Sequence, residues 1–482
     1  MFCYTLLHSQ NKIFSDLSVM IGEQPNKGIL KDDAKVNYAF FYAFPIAVTQ
    51  TVFLDNYDRD TLKLSLQNIS VYNNVLSSLF FHNLVVTSPN EQSKDTINYQ
   101  FDGTNLLIPV KSSYREISIQ YEYQSDYFLK SNMPGANIEY FFQPQMFFWH
   151  SWYFTNPELW LSNVMFNVPT NEALFFADFS KQTDINHFEA DIKKIKTEYG
   201  ISFYLLNRKF YKEDSFFVNS THVNLFFTTG VRIDSTNVIR DNQERILYNL
   251  FPKSTIDQNK INLINSRINS SLIKIEKIFN KKDSININIA DSYLELKDEE
   301  GTKFVWGNVT QCSDNSYWIL IDTSMWQSHD LIHELIHIHS GIEPAMHNDD
   351  YYFFHESMIE YLAVYLGYNS EKKRDSVFNR HLKQFNEIKT DDLDATSIFD
   401  VKYNGYRLDG SSGGTSGVVY QKTPYKIHQL AKSIGEEKFI RILTKFYYNV
   451  KKTQTCSFYN FEKTLKKNRV TNKQWADFMK GL

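Results

Sequence analysis

The chain has 482 residues, of which 42% are hydrophobic and 22% are charged, and its formal net charge at pH 7 is −4. Such a length exceeds what one hydrophobic core usually serves, so two domains of a globular protein are expected. The slightly acidic balance provides no basic surface of the kind that binds nucleic acid, so a nucleic-acid partner is not expected.

The beginning of the chain, residues 1–10, is a short apolar patch without a basic segment before it. It is consistent with the end of a signal peptide whose start is missing, which favours an exported or periplasmic protein; a cytoplasmic protein is the alternative. The cysteines are widely spaced and odd in number (Cys3, Cys312 and Cys456), which indicates neither a disulfide framework nor a cysteine metal cluster. No apolar run reaches about 18 residues, so no transmembrane segment is predicted. The oligomeric state stays open.

From about residue 36 to residue 230, short aromatic or β-branched runs alternate with turn residues. Strands are indicated at runs such as 116–123 (EISIQYEY) and 162–168 (SNVMFNV). Residues 1–234 are therefore predicted to form an all-β domain, either a sandwich or a saddle-like sheet. From about residue 235 the pattern becomes mostly helical, so residues 235–482 are predicted to form a separate α+β catalytic domain.

The most informative stretch is His333-Glu334-Leu335-Ile336-His337, a His-Glu-x-x-His motif. Ser328 is predicted to cap the start of its helix and Gly341 to end it. Residues four apart lie on the same face of a helix, so His333 and His337 present two imidazoles to one point, with Glu334 beside them. A catalytic zinc ion needs three protein ligands and an open position for water, so the motif predicts a third ligand elsewhere.

Glu356 is the candidate for that third ligand, because it follows His337 after a gap of 18 residues and lies on a second predicted helix. Asp349 or Asp350 is predicted to cap this helix. Two helices joined by a loop can bring the carboxylate to the two imidazoles. Glu360, one turn further on, is placed to accept the other ring N–H of a ligand histidine, with a solvated helix residue as the alternative.

Three further histidines, His339, His347 and His355, are alternative ligands. His339 points about 200° away from His337 around the helix, and His355 precedes a carboxylate that is better placed. All three are therefore interpreted as surface histidines or as core histidines with satisfied hydrogen bonds.

A glycine-rich run, 411–417, lacks the Gly-Lys-Ser/Thr ending of a phosphate loop and is interpreted as a flexible loop. A helix with Pro424 in its first turn is predicted to follow, and Gly435 is predicted to close it. Tyr420 therefore lies at a junction of loop and helix, from which its side chain can reach into a cleft.

Taken together, these motifs resemble the M1 family of zinc metallopeptidases, the aminopeptidases related to leukotriene A4 hydrolase. The His-Glu-x-x-His motif, the 18-residue gap and Glu356 match the metal signature of the family, and residues 354–361 are similar to its Trp-Leu-Asn-Glu-Gly-Phe-Ala-x-Tyr helix. Tyr420-Gln421-Lys422 resembles the family's Tyr-x-Lys-Gly, with Thr423 in place of the glycine. The resemblance implies a thermolysin-like gluzincin catalytic domain, one bound Zn²⁺ and a peptide substrate.

The resemblance also implies how the amino end of a substrate is bound. Gln145 resembles a glutamine in the family's first domain whose side chain points to the amino end of the substrate. The alternative is that Gln145 is packed in the protein or exposed to solvent. The family's Gly-x-Met-Glu-Asn strand, whose glutamate binds the free α-amine, is matched by residues 301–307, where Phe304 replaces the glutamate. Glu299 or Glu300 is a possible substitute, and nothing in the sequence shows that either one acts.

The expected mechanism assigns the metal to His333, His337 and Glu356, proton transfer to Glu334, and stabilisation of the oxyanion to Tyr420. The expected function is that of a zinc metallopeptidase, an M1-like aminopeptidase with a non-standard amino-terminus anchor. The alternatives are a zinc hydrolase of a non-peptide substrate and a binding protein on a peptidase scaffold. The general base Glu334 argues against the binding protein, which needs no such group.

Overall fold

In the computed structural model, the described residues are 13–22, 27–33, 36–41, 46–55, 57–65, 80–89, 94–102, 105–124, 129–130, 145–148, 153–171, 173–190, 195–196, 201, 203–228, 231–240, 243–252, 258–279, 284–291, 296–297, 303–304, 307–312, 315–321, 325–327, 329–340, 350, 352–388, 396–401, 413–453 and 455–482. The apolar patch at residues 1–10 lies outside them. Strands dominate the described part of the first half and helices that of the second half, which confirms the predicted succession of a β-sheet region and a helical region.

The strands up to residue 252 are β1 (Ile13–Ile21), β2 (Lys27–Asp33), β3 (Val36–Phe41), β4 (Ile46–Phe53), β5 (Thr61–Ser65), β6 (Phe80–Pro89), β7 (Lys94–Thr96), β8 (Gln100–Phe101), β9 (Asn105–Pro109), β10 (Glu116–Gln124), β11 (Leu129–Lys130), β12 (Gln145–Phe148), β13 (Leu159–Asn167), β14 (Ala173–Ala177), β15 (Ser180–Asp184), β16 (His187–Ala190), β17 (Ile195–Lys196), β18 (Phe203–Asn207), β19 (Tyr211–Val218), β20 (Thr221–Thr228), β21 (Val231–Arg240) and β22 (Gln243–Pro252).

The largest sheet has the order β15-β16-β13-β1-β4-β10-β6-β7, with β17 beside β13. Ile117, Ile119 and Tyr121 of β10 are buried at every second position, because successive side chains of a strand point to opposite faces. A smaller sheet, β5-β9-β8, adds Leu64 and Ile108 to the same hydrophobic core. Whether this region is best described as a sandwich or a saddle stays a prediction.

Two further sheets, β11-β3-β2-β22-β21 and β12-β18-β14, connect distant parts of the chain up to residue 252. Residues 234 and 235, between which the domain boundary is predicted, both lie inside β21, which pairs with β22 along its length. The division of the chain into residues 1–234 and 235–482 stays a prediction.

The described elements after residue 257 are α1 (Gln258–Phe279), β23 (Ile285–Asp291), β24 (Leu296–Lys297), β25 (Lys303–Phe304), β26 (Gly307–Gln311), β27 (Ser316–Ile321), α2 (Asp330–Ser340), α3 (Met358–Gly367), α4 (Glu371–Glu387), α5 (Gly413–Gly417), α6 (Thr423–Ile434), α7 (Glu436–Thr453), α8 (Phe458–Lys467) and α9 (Asn472–Gly481). The short 3₁₀ turn Met325–Gln327 precedes α2.

A five-stranded sheet of order β19-β20-β23-β27-β26 supports α1 and α2. β20, β23 and β27 are parallel to one another, and β26 is an antiparallel edge strand. β19 and β20 precede residue 235, so this sheet uses strands from both sides of the predicted boundary.

α2 is held in the core by an apolar stripe that includes Leu331, Leu335 and Ile336, all of them buried. Leu331 and Leu335 are four residues apart and Ile336 is adjacent to Leu335, so the helix has a broad apolar face, as the sequence predicts. The predicted caps Ser328 and Gly341 lie outside the described residues. α2 packs against α1, α3 and β26, so its two motif histidines are fixed beside the start of α3.

Two π-helical turns flank this region: Phe353–Ser357 leads directly into α3, and Val418–Lys422 lies between α5 and α6. Residues Gly413–Gly417 form the short helix α5, so the prediction of a flexible loop is wrong for them. A Cβ at Gly417 would collide with the side chain of Ile388, so this glycine permits close helix packing instead of flexibility. Gly435, with φ of 94°, closes α6 as predicted.

Among the described residues, none of the helices combines the length and apolar character needed to cross a membrane.

Candidate metal centre

The two motif histidines and Glu356 converge on one point between α2 and α3. The Glu356 Oε2 atom lies 3.4 Å from Nε2 of His333 and 3.7 Å from Nε2 of His337. A tetrahedral zinc ion with bonds of about 2.0–2.2 Å would hold its ligand atoms roughly 3.3–3.6 Å apart. The spacing of these three side chains therefore fits one such ion, and two imidazoles with one carboxylate are a ligand set that zinc accepts.

The charges of the three side chains are mutually compensated. Burial alone would lower the pKa of His333, but hydrogen bonds to Glu356 and Glu360 outweigh it and raise that pKa well above its ordinary value. Burial would likewise raise the pKa of Glu356, but the neighbouring His337 and His333 hold it well below its ordinary value. An ionised carboxylate is the form that binds a metal.

Glu360 contacts two histidines through its two oxygens. Its Oε2 lies 2.9 Å from Nδ1 of His333, and its Oε1 lies 2.9 Å from Nε2 of His329. The contact to His333 is the one that the sequence predicts for a carboxylate behind a metal ligand, where it fixes the ring orientation. His329 was missed, although its position one turn before His333 was a signal, since residues four apart share a helix face.

Glu356 lies within the π-helical turn Phe353–Ser357, and the adjacent Ser357 connects it to the second π-helical turn. The Ser357 hydroxyl donates to the backbone oxygen of Val419 over 2.6 Å, in a buried position. Single π-helical turns occur frequently at functional sites. The sequence carries no signal for either turn, because each depends on packing between segments that are far apart in the chain.

Tyr420 lies within the second π-helical turn, and its hydroxyl donates to Glu356 Oε2 over 2.9 Å. Burial, followed by the charge of Glu356, raises its pKa well above the ordinary value, so the hydroxyl keeps its proton at neutral pH. The structure thus brings the predicted tyrosine to the predicted metal ligands.

Glu334 follows His333 in α2 and is partly buried. Burial raises its pKa above the ordinary value, and the neighbouring His333 and His337 oppose that rise. A carboxylate with a raised pKa is a stronger base than an exposed one, which suits proton transfer.

The three alternative histidines have different outcomes. His355 packs its ring 4.4 Å from that of His337, and burial together with His337 lowers its pKa to about 3, which keeps it neutral. His339 is buried at the end of α2. His347 lies outside the described residues.

The two residues predicted at the amino end of a substrate are described by their backbone alone. Gln145 pairs with Leu206 at the start of β12, and Phe304 pairs with Leu296 in the two-stranded ribbon β24-β25. β26 packs against α2 and begins with Gly307, a second glycine at which the family's strand can be aligned.

Comparison with solved structures supports this architecture at low sequence identity. The chain is similar to an aminopeptidase N family protein from Idiomarina loihiensis, with a TM-score of 0.56 and 12% identity over 96% of this chain and 75% of that one. The resemblance to the M1 family is thus supported at the level of fold.

Two other solved structures are similar over most of this chain. Native leukotriene A4 hydrolase from Saccharomyces cerevisiae has a TM-score of 0.46 and 10% identity, over 98% of this chain and 67% of that one. A two-domain M1 zinc metallopeptidase bound to L-arginine has a TM-score of 0.45 and 9% identity, over 95% of this chain and 91% of that one. No protein-family model matches the sequence, and no protein of curated function does.

Proposed function

We propose that this protein is a zinc-dependent metallopeptidase of the M1 type. The observation that carries the proposal is the convergence of His333, His337 and Glu356, with the Tyr420 hydroxyl 2.9 Å from the Glu356 carboxylate. Catalytic zinc sites use three protein ligands of this kind and leave a fourth position for water. The similarity in fold to an aminopeptidase N family protein is consistent with the proposal.

Bound zinc would polarise the scissile carbonyl and lower the pKa of a coordinated water to about 7. Glu334, which is not one of the three ligands, would accept a proton at its carboxylate and deliver it to the leaving amine. Tyr420 would donate its O–H to the oxygen that becomes negative in the transition state. Glu360 would keep the His333 ring in the orientation that directs Nε2 to the metal.

We propose an extended peptide as the substrate, with its main chain alongside β26. This strand is at the edge of its sheet and packs against α2, and an edge strand presents N–H and C=O groups that can pair with a peptide. Cleavage near the amino terminus would need a non-standard anchor, because neither residues 301–304 nor residues 307–310 carry a glutamate at the fourth position. Gln145 stays a predicted substrate contact.

The test is hydrolysis of a peptide library by the zinc-loaded protein, with free and with acetylated amino termini, in parallel with Glu334→Gln. We expect cleavage that is confined to free amino termini and that falls by about 10²–10⁴ in the variant. The matched control is Glu437→Gln on α7, whose carboxylate is 88% exposed and whose replacement should leave hydrolysis unchanged.

Equal cleavage of acetylated peptides would remove the aminopeptidase part of the proposal and indicate an endopeptidase. Stoichiometric zinc without cleavage of any peptide would contradict the peptidase, in favour of a non-peptide substrate or a binding role.

A further inference from the structure

A second group of potential metal ligands lies beside the candidate metal centre. In the described part of the chain, two sets of three His or Glu side chains have ligand atoms within 4.8 Å of one another. One is His333, His337 and Glu356, and the other is His329, Glu360 and His381. The proposed peptidase mechanism uses one member of the second set, Glu360, which supports His333. It gives no role to His329 or His381.

The members of the second set come from three different parts of the fold. His329 directly precedes α2, Glu360 lies in α3 and His381 lies in α4. Their side chains are only 10%, 8% and 9% exposed, respectively. Buried imidazoles and a buried carboxylate that converge from separate elements are held in place by the core, so the geometry is preorganised.

The two distances within the set are of different kinds, because one is a hydrogen bond and the other leaves room between the two atoms. His329 Nε2 lies 2.9 Å from Glu360 Oε1, whereas His381 Nε2 lies 3.9 Å from the same oxygen. The longer distance exceeds the usual hydrogen-bond range of about 2.7–3.2 Å. It is slightly longer than the roughly 3.3–3.6 Å that separates two ligands of one tetrahedral zinc ion, and an ion at this position would replace the His329–Glu360 hydrogen bond.

The surroundings of His329 favour a ligand role, whereas those of His381 differ. The hydroxyl of Tyr368 lies 3.5 Å from Nδ1 of His329, so the other ring nitrogen is directed to Glu360. A partner on the second nitrogen is the arrangement that orients metal-binding histidines. His381 faces Glu360 with Nε2, and its Nδ1 is buried without a hydrogen-bond partner among the described residues, so packing and not a hydrogen bond orients this ring.

A cavity of about 430 Å³ gives an ion access to this set. His329, Glu360 and His381 line it together with Asp330, Arg380 and Tyr420. The Asp330 carboxylate lies 3.7 Å from His329 Nε2, so it or a water molecule could supply a fourth ligand. Arg380 adds a positive charge to the cavity wall, and the negative charge of Asp330 compensates it.

We propose that His329, Glu360 and His381 form a second binding site for a divalent transition-metal ion of the Zn²⁺ class. Two imidazoles and a carboxylate suit zinc, cobalt and nickel and are a poor set for magnesium or calcium, which prefer oxygen ligands. Glu360 connects the two sites, because its Oε1 would bind the second ion while its Oε2 accepts from His333. An ion at the second site would therefore alter metal binding at the first.

The test measures how much metal the protein binds. Metal-free protein is titrated with Zn²⁺ in a buffer of defined free zinc, and bound metal is determined by elemental analysis for the wild type, His381→Gln, His337→Gln and the double variant. We expect two equivalents in the wild type, one in each single variant and none in the double variant. His428→Gln, which replaces a buried histidine outside both sets, serves as the control and should bind two.

The pattern of losses separates this proposal from the peptidase proposal. One equivalent in the wild type that is lost in His337→Gln and kept in His381→Gln overturns the second site and leaves the first intact. One equivalent that is lost in His381→Gln and kept in His337→Gln supports the second site and contradicts the zinc site of the peptidase proposal.

Should a variant fail to fold, anomalous X-ray scattering at the zinc edge from wild-type crystals soaked in zinc decides the matter. A peak among His329, Glu360 and His381 supports the proposal, and a peak confined to the first site overturns it.

Discussion

Replacing Tyr420 with Phe removes one hydroxyl and retains the aromatic ring. The hydroxyl donates to Glu356 Oε2 over 2.9 Å, and the ring centroid lies 6.2 Å from that of His333. Two roles are compatible with this position: the hydroxyl can donate to a substrate oxygen beside the metal, or it can hold the Glu356 ligand in place. The two roles predict different kinetic consequences for Tyr420→Phe.

As a donor to the substrate, the hydroxyl contributes to the transition state, and its loss should lower kcat by about 10²–10³, equivalent to about 2.7–4 kcal/mol. As support for a ligand, its loss should lower zinc affinity by about 10–100-fold and leave kcat of the zinc-saturated enzyme almost unchanged. We expect the first result. Glu356 Oε2 also faces Nε2 of His333 and His337, so a metal bound there would compete with the hydroxyl for this oxygen.

The assay compares kcat and KM of the wild type and Tyr420→Phe across a series of free zinc concentrations. The matched control is Tyr425→Phe on α6, whose hydroxyl accepts from the Gln429 side chain over 2.8 Å and should be dispensable. A kcat at saturating zinc within about threefold of the wild type would refute the donor role. If the zinc concentration needed for half-maximal activity also rose, the hydroxyl would be assigned to support of Glu356.

Two further predictions concern stability. Ser357→Ala removes the buried hydrogen bond to the Val419 backbone oxygen, so the free energy of unfolding should fall by about 1–3 kcal/mol in denaturant titrations. Ser433→Ala, which removes a local hydrogen bond within α6, should lower the free energy of unfolding by less. Equal losses in the two variants would contradict a special role for Ser357. Burial lowers the pKa of His428 despite its contact with Asp375. Below about pH 6.5 this histidine therefore binds a proton more readily in the unfolded state than in the folded state, so the free energy of unfolding falls as pH falls. Between pH 7 and pH 5, His428→Gln should therefore lose less stability than the wild type, and an equal loss would contradict this origin.

The part of the site that the sequence predicted is the part set by local periodicity. His333 and His337 share a helix face because they are four residues apart, and the same spacing puts Glu360 one turn beyond Glu356. The relation between His333 and His337 holds in any α-helix, whatever packs against it. The order of a β-sheet region and a helical region was also predictable, because alternation and helical periodicity differ along the chain.

The remainder depends on contacts between segments that are distant in sequence. His381 follows Glu360 by 21 residues on another helix, and only the packing of α4 against α3 brings it to the same oxygen. Gly413–Gly417 are helical, and Gly417 approaches Ile388 closely, whereas composition alone suggests a flexible segment. The pairing of β19 and β20 with strands after residue 280 is likewise a tertiary property.

Glu360 shows why the two groups of ligands cannot be treated separately. A buried carboxylate is retained only when its charge is compensated, and here burial would raise the pKa of Glu360, but His329 and His333 hold it well below the ordinary value. A proton on Nδ1 of His333 would donate to Oε2 of Glu360 and leave the lone pair of Nε2 available to an ion shared with Glu356. An ion bound to Oε1 of Glu360 would draw negative charge away from Oε2 and so weaken the hydrogen bond that Oε2 accepts from His333. Because coupling between binding sites is reciprocal, zinc at the first site would have to change the affinity of the second by the same factor.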